Sequence, residues 1–132
     1  MAKIAVLCVD RDDDLGKKAG IKGPIQGEEK NLEAAKRLGV SDPSDSDTNA
    51  IFQAVKLYRE TADAVDIFTI TGDKNGGYKA DKEIANQLDY IFEKNDDIDG
   101  VYLVTDGSQD DQVIPIIESR TDIVSKKSVI VE

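Results

Sequence analysis

The residues best suited to chemistry in this sequence are aspartates placed where apolar runs end. Asp10, Asp12, Asp13 and Asp14 follow the run that closes Leu7-Cys8-Val9; Asp73 stands in "ITGDKNGG", and Asp106 and Asp110 in "VTDGSQDD". With 0 histidines in 132 residues, Ser-His-Asp triads and imidazole-based zinc sites are excluded. Oxygen ligands alone favour Mg²⁺, Mn²⁺ or Ca²⁺. Asp10, Asp12, Asp106 and Asp110 are therefore the candidate metal ligands, and Mg²⁺ or another divalent cation the candidate cofactor. Two carboxylates ~6 Å apart repel by about 0.7 kcal/mol in water, but by roughly 3 kcal/mol at an effective dielectric near 20. An exposed cluster of this kind is cheap, whereas a half-buried one requires a counter-ion. The competing reading is that each Asp makes an Asx turn or caps a helix in a strand-to-helix loop.

Beside these carboxylates stand Arg11, Lys17, Asn49, Thr71, Gly72, Asp73 and Gly107, which with Asp10 are the candidate ligand-binding residues. The stretch "GKKAGIKGPIQG" interleaves Gly16, Gly20, Gly23 and Gly27 with Lys17, Lys18 and Lys22. Glycines permit close backbone approach and lysines supply point charges, so this long loop is a candidate phosphate cradle or lid, or a surface loop whose lysines offset nearby aspartates. It matches neither the P-loop nor the dinucleotide fingerprint. In "DPSDSDTNAIFQ", Asp42, Asp45 and Asp47 precede a helical pattern. Capping and the helix dipole account for them, with Asp47 or Thr48 as the cap; the functional alternative places Ser46, Asp47 and Asn49 against a ligand.

The elements that must position these residues are visible as alternating patterns. "KIAVLCV" (3–9), "VDIFTI" (65–70) and "GVYLVT" (100–105) are short runs rich in β-branched residues, each ending at a Gly/Asp cluster, and read as buried strands. Helical periodicity places Leu32, Ala35 and Leu38 on one face of "EEKNLEAAKRL". It does the same for Ile51, Ala54, Val55 and Tyr58, and for Ile84, Leu88, Ile91 and Phe92 of a third helix capped by Asp81. After Thr105 come a loop and a short helix containing Pro115, then "DIVSKKSVIVE" as a last strand or a tight hairpin around Lys126 and Lys127. This order predicts a single α/β domain over 1–132, a three-layer α/β/α sandwich, Rossmann-like or flavodoxin-like, with about four mostly parallel strands. Ligands of such sheets sit beyond the carboxyl ends of the strands, where the three acidic loops would share one rim.

Composition narrows the partners. Hydrophobic residues make up 39% and charged residues 33%, enough apolar material for a core despite a net charge of −10. That acidity argues against nucleic acid, whose binding needs a basic surface. A lone cysteine, Cys8, lies within an apolar run and reads as an inert core residue in a reducing compartment. No apolar run approaches the ~18 residues needed to span a bilayer, and a cytoplasmic location is expected.

Three resemblances bear on function. Asp10, Asp12 and Thr71 resemble the aspartate pair and following Thr of haloacid dehalogenase-like phosphotransferases, with Asp106 and Asp110 as a later acidic pair. Asp13 and Asp14 replace the small residues usual there, and Lys74 and Lys79 are the only candidates for that family's lysine. "LVTDGSQDDQVIPI" is similar to the strand and acidic turn of the TOPRIM domain, whose glutamate on an earlier strand is absent, with only Asp10 in its place. Over nearly the whole chain, "VLCVDRDDDLGKKAGIKGPIQG", "NLEAAKRLGVSDPSDSDTNAIFQAVKLY" and "VTDGSQDDQVIPIIESR" resemble the archaeal family catalogued as domain of unknown function 373. That resemblance implies a soluble amino-terminal region which, in longer members, precedes several membrane-spanning helices. The first expectation is a ligand-binding or regulatory domain that takes a small anion or nucleotide at its acidic rim. The alternatives are Mg²⁺-dependent phosphoryl transfer or phosphoesterase chemistry, and a scaffold that forms a homodimer through an edge strand near the carboxyl terminus.

Overall fold

Strand β1 (Ile4–Asp10) is buried along its whole length and lies at the centre of the sheet. A segment buried on both faces must be apolar on both sides of the pleat, which is why Ile-Ala-Val-Leu-Cys-Val shows no polar alternation. In the computed structural model, which describes residues 2–129, five strands are ordered β2-β3-β1-β4-β5. The others are β2 (Ile25–Gln26), β3 (Ala64–Thr71), β4 (Gly100–Thr105) and β5 (Asp122–Ser128). β1 pairs in parallel with β3 and β4, and β4 in parallel with β5; only β2 is antiparallel, against β3.

The helices are α1 (Asp14–Ala19), α2 (Glu28–Ser41), α3 (Ser46–Glu60), α4 (Gly77–Lys94) and α5 (Asp110–Glu118). The strand period of two divides β1 between two cores. Val6 and Cys8 pack with Leu15 of α1, Leu38 of α2 and Ile51 and Val55 of α3, while Ala5, Leu7 and Val9 pack with Ile84 and Leu88 of α4 and Ile117 of α5. Cys8 is 1% exposed and burial pushes its thiol well up, so it is core material. Among the described residues no helix is long and apolar enough to cross a membrane.

Several elements differ from the sequence expectation. The stretch between Asp10 and Glu28 is not one long loop: it holds α1 and the two-residue β2, which are too short to carry a periodic signal. β5 runs straight through Lys126 and Lys127, parallel to β4, with no hairpin turn there; Ile130, Val131 and Glu132 of the expected segment lie outside the described residues. Asp45, not Asp47 or Thr48, caps α3, its side chain accepting from the Asp47 amide at 2.8 Å. Asp81 does not cap α4, which begins a turn earlier at Gly77; Asp81 faces Arg11 from within that helix.

The two cores fix where the strand ends meet the helices. Ile51, fully buried on α3, is expected to cost about 2–5 kcal/mol when cut to Ala, whereas the 86% exposed Val40 is expected to change stability by less than about 0.5 kcal/mol. Denaturant unfolding of Ile51→Ala and Val40→Ala measures both; equal midpoints would contradict this account of the core.

Candidate functional site

β1 reaches the rim with Asp10, whose carboxylate turns back over the next turn of chain. Its Oδ1 accepts the Asp14 amide at 3.0 Å and its Oδ2 the Leu15 amide at 2.9 Å, satisfying two of the first amides of α1. Asp13 adopts the left-handed region (φ 59°, ψ 46°) as the N-cap and accepts from the Gly16 amide at 3.0 Å. Asp tolerates this conformation better than most residues. Gly16 leaves room for that bond: a Cβ would lie 2.6 Å from Asp13 Oδ1, so any other residue would make the capping carboxylate shift. The result projects Asp14 inward; it is 8% exposed.

From the same face of the sheet, α3 brings Asp47 to this point. Carboxylate oxygens of Asp10, Asp12, Asp14 and Asp47 all lie within 4.8 Å of one another. Asp10 is 1% and Asp47 2% exposed, and among the described residues Asp47 Oδ2, which is buried, has no hydrogen-bond partner. Beside them a small cavity of about 10 Å³, room for one water-sized particle, is lined by Asp12, Asp47, Thr105, Asp106 and Ser108 among others. It lies between the ends of β1 and β4, where the chain's excursions to the two sides of β1 diverge, as expected of a ligand position in an open parallel sheet.

The electrostatics follow from this crowding. Burial pushes the Asp47 carboxyl up to about 11, helped by the charge of Asp10, a hydrogen bond with Asp14 and the charges of Asp106 and Asp12. Burial also lifts Asp10, to about 8; the Leu15 and Asp14 amides oppose that rise while the shared contact with Asp12 adds to it. Burial works on Asp14 too, but hydrogen bonds with Asp47, Lys17 and Asp45 outweigh it and hold Asp14 low. Lys17 Nζ sits 3.0 Å from Asp14 Oδ1. Four oxygen ligands at this spacing suit a hard divalent cation, since bonds of about 2.1–2.4 Å put opposite ligands roughly 4.2–4.8 Å apart.

The other residues singled out from the sequence have identifiable partners. Asp106 accepts from Ser46 Oγ at 3.0 Å and from the Ser108 amide and hydroxyl at 3.0 and 2.7 Å, and lines the small cavity without joining the four-carboxylate cluster. Asp110 also borders the small cavity but is outside the cluster and engaged by other partners: it accepts from Thr105 Oγ1 at 2.6 Å and pairs with Lys126 Nζ at 3.0 Å. Burial works against its charge, but Thr105, Lys126 and Ser128 keep its carboxyl low. Thr71 Oγ1 accepts the Gly23 amide at 2.9 Å and lies within a buried exchange with Gln87. Gly72 serves a close backbone approach: its amide donates to Asp10 O at 2.9 Å, and a Cβ would lie 2.7 Å from the Arg11 carbonyl carbon. Asp73 makes a turn by accepting the Asn75 amide at 2.9 Å, Gly107 (φ 87°) donates to Thr105 Oγ1, and Asn49 Nδ2 reaches Asp45 O at 3.5 Å. Arg11 is held by Asp81 Oδ1 (3.0 and 2.9 Å), Gln109 Oε1 (2.6 Å) and Gly77 O (3.3 Å), tying the end of β1 to the start of α4 and to the cap of α5.

Asp14 and Asp47 are the cluster members that the sequence did not single out as metal ligands: Asp14 stood only in the acidic run after the first strand, and Asp47 chiefly as a cap. The available signal was the surplus of aspartates before α3: one carboxylate is enough for a cap, and Asp45 already supplies it.

Over residues 3–132 the chain matches the family described as "Domain of unknown function (DUF373)", and it belongs to that family. It is 46% identical over 134 residues to an uncharacterized protein of Archaeoglobus fulgidus, covering 99% of this chain and 39% of the relative. It is 43% identical over 132 residues to an uncharacterized protein of Methanocaldococcus jannaschii, covering 96% and 36%. The chain thus spans less than two-fifths of the length of either relative. No solved structure matches it.

The cluster carries a stability cost whose sign is fixed. An unfolded Asp47 ionises near 3.8, whereas the folded carboxyl holds its proton up to about 11. Between those values the native state binds more protons, so this contribution is fully present below about pH 4 and is lost as pH rises towards 11. Asp10 acts in the same direction up to about pH 8. In chelator-treated protein, Asp47→Asn is expected to raise stability on the order of 1–3 kcal/mol at pH 8 and to flatten the pH dependence, with little effect below about pH 4. Urea unfolding across this pH range provides the measurement; an equally steep dependence in the variant would refute the assignment.

Proposed function

We propose that this DUF373 domain is a divalent-cation-dependent ligand-binding domain, with Asp10, Asp12, Asp14 and Asp47 as the cation's protein ligands. The observation that carries the reading is Asp47 Oδ2, a buried acceptor inside a cluster of carboxylates that has no partner among the described residues. A buried polar atom left unpaired costs about 1–3 kcal/mol, and a buried charge more, unless something satisfies it. A hard cation satisfies the orphaned oxygen and removes the repulsion among all four groups. In this reading the cation's remaining positions face the rim and take a small anion, such as a phosphate-bearing molecule, through charge and direct ligation. Occupancy would then be relayed to the rest of the longer chains in which such domains occur.

A second reading, metal-assisted phosphoryl chemistry, is favoured by Asp106. This carboxylate is held by Ser46 and Ser108 at the same cavity, outside the cluster, where it could orient a water towards a cation-bound phosphate. Turnover of a phosphoester or nucleotide by wild-type protein with Mg²⁺ or Mn²⁺, lost in Asp106→Asn while cation binding persists, would promote this reading over simple binding.

Calorimetric titration with Mg²⁺, Mn²⁺ and Ca²⁺ tests the principal proposal. Binding of one of these ions is expected, weakened at least about tenfold in Asp47→Asn and in Asp10→Asn, but within about threefold of wild type in Asp110→Asn. Absence of binding at millimolar cation, or binding indifferent to Asp10 and Asp47, would exclude it.

A further inference from the structure

We infer that Lys17 is a tethered competitor for the cation, occupying Asp14 with its ammonium until a divalent ion displaces it. The inference rests on the cation reading above and concerns how that site is regulated. Among the described residues, Lys17 is the only lysine or arginine ion-paired with any of the four clustered carboxylates. Its neighbour Lys18 is spent on Asp42 and Asp45, at 2.7 and 2.6 Å. The Lys17 pair spans three residues of α1, so the ammonium is delivered by the same short helix whose start Asp10 caps.

An ammonium and a divalent cation cannot both sit against one carboxylate without strong mutual repulsion, so binding one expels the other. Expulsion is easy for this residue. The Lys17 side chain is 37% exposed, so its ammonium keeps a route to water, although the Asp14 side chain it meets is only 12% exposed. A groove lined by Asp13, Gly16, Lys17, Asp73 and Lys74 opens beside it, so the displaced side chain swings into open space rather than into packed core. Asp14 thereby has a partner in both states, and the cation must outcompete an ammonium that never leaves the neighbourhood. The lysine sets the threshold concentration at which the site fills.

The test compares cation affinity in wild-type, Lys17→Met and Lys74→Met proteins by calorimetric titration with Mn²⁺ and Mg²⁺. Lys74 borders the same groove, so its substitution removes the same charge from the same rim without touching the cluster. Lys17→Met is expected to bind about three- to tenfold more tightly than wild type, and Lys74→Met within about twofold of it. Lys17→Gln serves as a second neutral variant should the Met protein fold poorly. Nitrogen-detected NMR of the lysine ammonium groups adds an independent readout: the Lys17 signal should move from restrained to mobile as Mg²⁺ saturates the site. Wild-type binding with Lys17→Met no tighter than Lys74→Met, or a Lys17 signal unchanged at saturation, overturns the inference and leaves the cation site standing. No binding in any of the proteins overturns both.

Discussion

The rim is organised by a carboxylate buried at the end of a central strand. Asp10 closes β1 and spends both oxygens on the amides that begin α1. Burying a carboxylate is costly unless its acceptors are used, and these two bonds take one lone pair on each oxygen, offsetting part of that cost and leaving the others free. In doing so they reverse the chain within four residues, which carries Asp12 across the strand ends and turns Asp14 inward. Without that cap, the six-residue α1 has little reason to exist, being far shorter than helices stable on their own propensity. The positions of Asp12 and Asp14 are therefore referred to that strand end, and α3 brings Asp47 to meet them.

The sheet contributes by separating the work of its two faces. Face one, with α2 and α3, delivers Asp47 and the serine that holds Asp106; face two, with α4 and α5, delivers Asp81 and Gln109, which hold Arg11. Acidic groups gather above the first face and the basic clamp above the second. The net acidity of the chain is thus not evenly spread at the rim. The uncompensated part lies where Asp47 meets Asp10, and the single arginine there is already saturated with partners.

Legibility in the sequence followed the length and burial of each element. β1, β3 and β4 could be read because strands covered on both faces must be apolar throughout, and α2 to α4 because each is long enough to repeat its apolar stripe. α1 and β2 could not: one is six residues held by a left-handed Asp13, the other a two-residue edge, and neither has a period to detect. At the rim the sequence located the acidic loops at strand ends but could not say which carboxylates share a centre. Asp47 and Asp45 have similar local contexts, and only the turn taken at Asp45 decides that one caps the helix while the other is driven into the interior. Asp110 presents the opposite case, attractive by position in the chain yet claimed by Lys126 from an edge strand whose pairing no local pattern reveals.

The fan of bonds around Arg11 has a consequence for how such a site can change over time. One guanidinium fastens to the first turns of α4 and to the residue that caps α5, so the elements that follow β1, β3 and β4 share a single anchor. Lengthening any one of them would pull its partner off that anchor and disturb the other two. Independent loop insertion, a route by which α/β sheets acquire new ligands, is thereby constrained on this side of the domain. The turn that leads into α3, with Ser46 and Asp47 opening that helix, lies on the opposite side and is not among the arginine's partners, so it is freer to vary in length.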